Sequence, residues 1–200
     1  MATEIDVADL PAHGFGLRSA LVWAALLLIA IEGTTMALAA VSFLYVRGDT
    51  DVWPPSALSP VAVRLATAQM LLLLVSVLPT WRMDRAAVRE DFAGVRLHLT
   101  LVTALSLIIT SLRWLELRHL GFRWDQNAYG STFWMVLGIH VTHVLSGAIE
   151  FLFLLALVTV GRSRVEKKHF MDVQAAGILW YFVVGEWVVL YPLLYLWGRR

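Results

Sequence analysis

Cysteine is absent from the 200-residue sequence, and charged residues make up only 16% of it. Without cysteine the chain has no thiolate metal ligands, no iron–sulfur clusters and no disulfides. Soluble domains are about one quarter charged, so this low charge content, with 59% hydrophobic residues, excludes an ordinary soluble protein. A net charge of +1 with scattered basic residues also gives no electrostatic footprint for nucleic acid.

Five long apolar runs make up most of the chain, at about 19–46, 61–80, 97–117, 131–161 and 173–198. A membrane crossing needs about 20 apolar helical residues, and runs of this length without period-two alternation exclude a β-barrel. The sequence therefore predicts an all-α polytopic membrane protein, a bundle of five transmembrane helices in a single membrane domain at 19–200. Residues 1–18 form an acidic, polar tail, so we expect a retained first helix rather than a cleaved signal peptide.

Basic residues are distributed unevenly between the predicted loops, and this asymmetry sets membrane orientation. The loops at 81–96 and 162–172 hold eight Arg or Lys residues, whereas the connections on the other side hold five. The count predicts a cytoplasmic N-terminus and a periplasmic C-terminus.

Ionisable residues at bilayer depth are costly and mark candidate sites. Glu32 lies in the middle of the first run beside small and hydroxylated residues, in "IAIEGTTMAL". It is either a proton-exchanging or lipid-facing carboxyl, or a neutral group bonded across a helix interface. Glu186 lies in the aromatic-rich fifth run and has the same two alternatives, while Pro192 should kink or loosen the end of that helix.

The third run ends in "SLRWLELRHL", where Glu116 and His119 form an E-x-x-H pair. This spacing occurs in helical di-iron sites, but such sites need two copies. We favour an interfacial ion-pair cluster with Arg113 and Arg118, whose long side chains can reach the membrane surface.

Two histidines share one stripe of the fourth run, in "GIHVTHVLSG". On a helix, His140, His143, Gly147 and Glu150 lie within roughly 80° of one another. Glu150 lies about 10 Å further along the axis than His143, too far to join a metal site with the histidines. We therefore expect the histidines to bond to a neighbouring helix, with Gly138 and Gly147 allowing its close approach.

These motifs resemble those of subunit III of the haem-copper terminal oxidases, in the short five-helix bacterial form. The most specific stretch is "YGSTFWMVLGIHVTHVLSG" at 129–147, and "LWYFVVGEWVVLYPLLYLWG" follows the family's last helix. Residues at motif positions, with polar, lipid or interface roles implied by the resemblance, are Glu32, Glu116, His140, His143 and Trp180, with Glu186 added in the last helix.

Several positions depart from the family pattern. Arg113 stands where the family has Gln, and Gln174 stands where a Glu is usual. In the last helix Tyr181 replaces a His, Val184 replaces an Asp, and Glu186 occupies a position that is normally apolar.

The resemblance implies a non-catalytic subunit in the bacterial cytoplasmic membrane that binds no haem and no copper itself. Haem and copper belong to partner subunits I and II, with subunit I the main contact, and phospholipid fills a cleft between helix groups, expected between the first two helices and the other three. The implied role is to stabilise the catalytic subunit and support proton uptake during oxygen reduction. Alternatives are an accessory subunit of a nitric oxide reductase, a membrane metalloenzyme using Glu116, His119, His140 and His143, or a small transporter, for which the sequence has no inverted repeat.

Overall fold

The computed structural model describes residues 16–160 and 167–197 of the chain. Its elements are a 3-10 turn (Gly16–Arg18) and helices α1 (Ala20–Gly48), α2 (Pro60–Val88), α3 (Phe92–Arg118), α4 (Ala128–Val160) and α5 (Lys167–Tyr191), the last continued by a π-helical turn (Pro192–Leu196). Five helices are long and apolar enough to cross a membrane, and no strand occurs within the described ranges. The predicted all-α membrane fold is confirmed.

The α2–α3 connection is much shorter than the predicted loop at 81–96. α2 continues to Val88 and α3 begins at Phe92, so only three residues separate them. The chain reverses at Glu90, whose φ is 56°, and the Asp91 carboxylate caps α3 by accepting from the Gly94 amide at 3.0 Å. Arginines allow the helices to extend past the apolar core, because their charged ends reach water.

Helix α5 packs against three of the other helices, namely α1, α2 and α4. α1 packs on α4 and α5, whereas α2 packs on α3 and α5, and α3 also packs on α4. The first two helices therefore do not form a group of their own. The expectation of a cleft between these two helices and the other three is wrong, because α5 packs on both α1 and α2 and lies between them.

Loop contacts and aromatic packing fix the end of the bundle at which α1 and α3 finish. The Ser59 amide donates to the Leu120 carbonyl at 3.1 Å, and Asn127 donates to Ser56 at 3.2 Å, which joins the two loops. Beneath them lies an aromatic cluster made of Phe43, Trp53, Phe122, Tyr129 and Phe133.

The same end of the bundle contains the end of α5. The Arg47 guanidinium lies 4.1 Å from the ring centroid of Trp197. At the opposite end, Gln174 of α5 accepts a hydrogen bond from the Gly16 amide at 2.9 Å. Gln174, one of the departures from the family pattern, thus connects the turn before α1 to α5.

The predicted membrane orientation depends in part on residues that lie outside the described ranges, namely the tail at 1–15, residues 161–166 and the side chains of Lys167 and Lys168. Arg113, which was counted among the loop charges, is only 1% exposed. It belongs to the bundle interior.

Candidate functional site

Two polar clusters lie inside the apolar bundle, on neighbouring turns of α4. The Arg113 cluster consists of Gln69, Arg113, Glu116, His140 and Tyr195. The His143 cluster consists of Glu32, His143 and Glu186. Buried polar groups are costly unless they are paired, so the contacts within each cluster determine what the cluster can do.

The Arg113 cluster is built on a buried ion pair within α3. Arg113 Nη1 lies 2.7 Å from Oε2 of Glu116, and the two side chains are 1% and 0% exposed. The same Oε2 accepts from Gln69 Nε2 of α2 at 2.6 Å, and Tyr195 donates to Oε1 of Glu116. One carboxylate thereby joins α2, α3 and the segment after α5.

His140 is held in one tautomer by its partners. Arg113 Nη2 lies 3.2 Å from His140 Nδ1, and because a guanidinium only donates, Nδ1 must accept. The remaining ring proton is therefore on Nε2, which donates to the Val183 carbonyl at 3.1 Å. The indole of Trp187 packs on both partners, with its ring centroid 4.7 Å from that of His140 and 3.9 Å from the Arg113 guanidinium carbon.

The π-helical turn places Tyr195 in this cluster. Pro192 has no amide hydrogen, so it cannot continue the hydrogen-bond pattern of α5, and residues 192–196 adopt the wider turn. The side chains of Leu194 and Tyr195 in this turn are fully buried. The expectation that Pro192 alters the last turns of the helix is confirmed.

The His143 cluster links α1, α4 and α5 through the two nitrogens of one imidazole. His143 Nδ1 lies 2.8 Å from Oε2 of Glu186, and Nε2 lies 3.2 Å from Oε2 of Glu32. The exposed fraction of the side chain falls from 36% at Glu32 to 12% at His143 and 4% at Glu186. The cluster therefore connects the lipid-facing surface of the chain to its interior.

Both contacts of His143 are made to carboxyl oxygens, which restricts the protons that the cluster can hold. An ionised carboxylate only accepts, and a neutral imidazole has one donor. Both hydrogen bonds form when the ring is an imidazolium, or when one Glu is protonated. The arrangement is chemically able to take up a proton and to pass it between carboxyls.

A groove of about 120 Å³ borders the His143 cluster on the outside. Glu32, His143 and Gly147 line it together with Trp180. Trp180 is 1% exposed and donates to Ser76 of α2 at 2.8 Å, so its role here is to join α5 to α2. A Cβ at Gly147 would lie 2.9 Å from the Trp180 ring, whereas Gly138 has no neighbour within 4 Å and does not serve the expected close approach.

The two histidines bond to neighbouring helices, but not as one pair. His140 contacts α3 and α5, whereas His143 contacts α1 and α5. A rotation of about 60° between positions three residues apart is enough to separate their partners.

The E-x-x-H pair also separates. Glu116 is buried, while His119 is exposed and its Nδ1 lies 2.7 Å from the Leu115 carbonyl. The predicted ion pair of Arg113 and Glu116 forms, but its predicted place at the membrane surface is wrong, because both side chains are buried in the bundle. Arg118 is exposed, and its guanidinium carbon lies 5.2 Å from the centroid of the Trp114 ring. Among the described residues, no group of three or more His, Asp or Glu side chains could hold a metal ion.

Two of the three departures from the family pattern in the last helix form hydrogen bonds with other helices. Tyr181 donates to Oδ2 of Asp84 in α2 at 2.7 Å, Glu186 contacts His143, and Val184 is simply buried. Sequence reasoning missed Gln69, Tyr195 and Asp84. Gln69 could have been found, since it is an amide inside the apolar stretch "LATAQMLLLL".

Comparison with known proteins gives matches along nearly the whole chain. The family model described as "Cytochrome c oxidase subunit III" matches residues 13–199. Proteins named cytochrome c oxidase subunit 3 from the lamprey Petromyzon marinus and the cyanobacterium Thermostichus vulcanus are 33% and 29% identical, over 73% and 79% of this chain. The matched region is 56% of the lamprey protein and 78% of the cyanobacterial one.

The chain spans about half the length of the animal relatives it matches, at 56% for Petromyzon marinus and Gallus gallus. The match nevertheless includes both polar clusters, since the residues that form them lie between Glu32 and Tyr195. The chain belongs to the cytochrome c oxidase subunit III family.

Proposed function

We propose that this chain is the non-catalytic subunit III of a haem-copper terminal oxidase of the cytochrome c oxidase type. The family match over residues 13–199 carries the proposal. In it, the chain contacts subunits I and II, mainly I, in the bacterial cytoplasmic membrane, with its N-terminus cytoplasmic and its C-terminus periplasmic. Haem and copper are held by the partner subunits, and electron transfer takes place there.

Uncovered apolar surface supports a role as a membrane-embedded partner. In the most apolar stretch of α1, only 17% of the residues are buried within the chain, compared with 44% in the last apolar span, His169–Leu196. Lipid or another apolar subunit must cover the remainder, because apolar surface of this extent is unstable in water. Stabilisation of the catalytic subunit and retention of phospholipid both use such surface.

The His143 cluster supports a part in proton uptake. Its carboxyls and imidazole can hold an exchangeable proton, and Glu32 opens to the lipid-facing groove. Glu116, by contrast, is enclosed by its own chain. Within the proposal, the lipid and interface role therefore rests on Glu32, and Glu116 positions the helices.

Copurification tests the proposal directly. A tagged chain, extracted from its native membrane in mild detergent, should bring subunits I and II with it and show haem absorption. A preparation that contains neither catalytic subunit would contradict the assignment. Recovery of a nitric oxide reductase instead would support the alternative accessory role.

Turnover measurements test the part of Glu32. Glu32→Ala should leave haem content intact and shorten the active lifetime of the complex during oxygen reduction. Thr35→Ala is a matched control, because Thr35 is an exposed polar residue on the same helix whose hydroxyl, among the described residues, bonds only to the Ile31 carbonyl. Loss of haem in Glu32→Ala, or equal lifetimes in all three proteins, would count against the role.

A further inference from the structure

Two adjoining sections of a shallow groove follow α2 from the middle of that helix to the α2–α3 turn. Its apolar part is lined by Leu74, Val77, Leu78, Trp81, Asp84 and Tyr181. Its polar part is lined by Trp81, Asp84, Arg85, Val88 and Arg89. Trp81 and Asp84 belong to both parts, so the apolar and the basic sections form one surface.

The basic end of the groove presents two exposed guanidinium groups. Arg85 and Arg89 are four residues apart and therefore lie on the same face of α2. Arg85 packs over the Trp81 ring at 4.2 Å from its centroid, and neither arginine forms an ion pair with another described residue.

The third charged residue of the groove points inward. Asp84 accepts from the Tyr181 hydroxyl at 2.7 Å, and its Oδ1 is buried. Two arginines and one aspartate give the lining a formal charge of +1. This charge complements a single phosphodiester group.

The length of the groove also fits one leaflet. Leu74 and Arg85 are eleven residues apart on a continuous helix, which corresponds to roughly 16 Å along its axis. Half of a bilayer hydrocarbon core is about 15 Å thick. A chain lying on Leu74 would therefore end at the depth of the arginines.

We propose that this groove binds one anionic phospholipid, with its phosphodiester between Arg85 and Arg89 and an acyl chain along Leu74, Leu78 and Trp81. Guanidinium groups bind phosphate oxygens through paired hydrogen bonds, and basic helix ends attract anionic lipid. The inference deepens the lipid-binding part of the proposed function by locating a lipid on the outer face of α2. The site is separate from the groove at Glu32, which lies between α1, α4 and α5.

Lipid retention by the purified full-length protein tests the site. The complex is reconstituted in phosphatidylcholine nanodiscs with and without phosphatidylglycerol, and the lipid that remains on the chain after mild delipidation is measured by native mass spectrometry. The wild-type chain should retain phosphatidylglycerol in preference to phosphatidylcholine. Arg85→Gln/Arg89→Gln should weaken this retention about 30-fold, from about 5-fold for each arginine.

Arg64→Gln/Arg82→Gln is the matched control. It removes the same charge from two other exposed positions of α2, neither of which lines the groove, and it should retain the lipid. Trp81→Ala removes the ring shared by both parts of the groove and should also weaken retention. Equal loss in the control, or no preference for phosphatidylglycerol in the wild type, overturns the site.

Failure of the lipid site can be distinguished from failure of the proposed function. Copurification of the catalytic subunits is scored in the same preparations, and retention is measured on this chain. Absence of those subunits would contradict the proposed function and leave the lipid measurement standing. Copurification of both catalytic subunits without a preference for phosphatidylglycerol would support the proposed function and overturn the lipid site.

Discussion

The two polar clusters lie one helical turn apart on α4, yet they differ in enclosure. In the Arg113 cluster, the ion-paired side chains are 1% and 0% exposed, and the cluster residues come from α2, α3, α4 and the π-helical turn after α5. In the His143 cluster, the Glu32 side chain is 36% exposed and faces a groove. A polar network inside a membrane protein can thus either lock helices together or connect to the surface.

The Arg113 cluster and the His143 cluster also differ in net charge. Arg113 and Glu116 neutralise each other, and His140 accepts from Arg113 as a neutral ring. In either protonation state that forms both hydrogen bonds, the His143 cluster carries a net charge of −1, so one further proton would make it neutral. The Arg113 cluster is balanced in charge, whereas the His143 cluster has a reason to exchange protons with its surroundings.

Removing Arg113, the cation of the Arg113 cluster, should have the largest effect on stability. Arg113→Ala leaves the Glu116 carboxylate buried without its counter-ion, which should lower the free energy of unfolding by about 3–5 kcal/mol. The measurement is SDS-induced unfolding in mixed micelles, followed by tryptophan fluorescence.

A double variant sharpens this test. Arg113→Met/Glu116→Gln removes both charges and keeps an amide for Tyr195 and Gln69, so it should recover much of the lost stability. Equal instability of the single and double variants would mean that shape, rather than the unpaired charge, dominates the cost.

The two histidines compare the clusters directly. His140→Ala breaks hydrogen bonds to Arg113 and Val183 and removes the ring beneath Trp187, at an expected cost of about 3–4 kcal/mol. His143→Ala should cost about 2 kcal/mol, because Glu32 can turn towards its exposed side. The same unfolding assay ranks them, and a larger loss for His143→Ala would reverse the distinction between enclosed and open clusters.

Hydropathy was sufficient to predict the five helices, because a bilayer requires each crossing to satisfy its own backbone. It did not predict the ends near 81–96, where arginines continue the helices past the apolar core. The choice between loop and helix there depends on the Asp91 cap and on the reversal at Glu90, which hydropathy does not detect.

The site was only partly predictable. The stripe of His140 and His143 correctly indicated bonding to neighbouring helices, but their partners come from packing over long sequence separations, such as the separation of 111 positions between Glu32 and His143. The burial of Arg113 contradicts the ordinary expectation for a charge near a helix end. Tyr195 reaches Glu116 only through the π-helical turn, whose geometry Pro192 alone does not specify.

Disturbing the close packing of Gly147 against Trp180, beside the His143 cluster, should have an intermediate effect on stability. Gly147→Ala places a methyl group about 2.9 Å from the Trp180 ring, and relief of this overlap should cost about 1–3 kcal/mol. Gly138→Ala is the control on the same helix, with open space at its Cβ, and should be neutral or stabilising by up to about 1 kcal/mol. Equal unfolding free energies for the two variants would show that Trp180 moves freely.

The smallest effect on stability should come from Glu32, although it has the clearest link to function. Glu32→Gln keeps a polar group near His143 at a position that is 36% exposed, so we expect a loss below about 1 kcal/mol. Glu186→Gln, at 4% exposure on the other nitrogen of the same ring, should cost about 1.5–3 kcal/mol. Unfolding of the two variants under identical conditions measures the difference. If Glu32→Gln proved as destabilising as Glu186→Gln, the open end of the cluster would be a structural lock like the Arg113 cluster, and a shortened turnover lifetime in Glu32 variants would reflect unfolding instead of proton exchange.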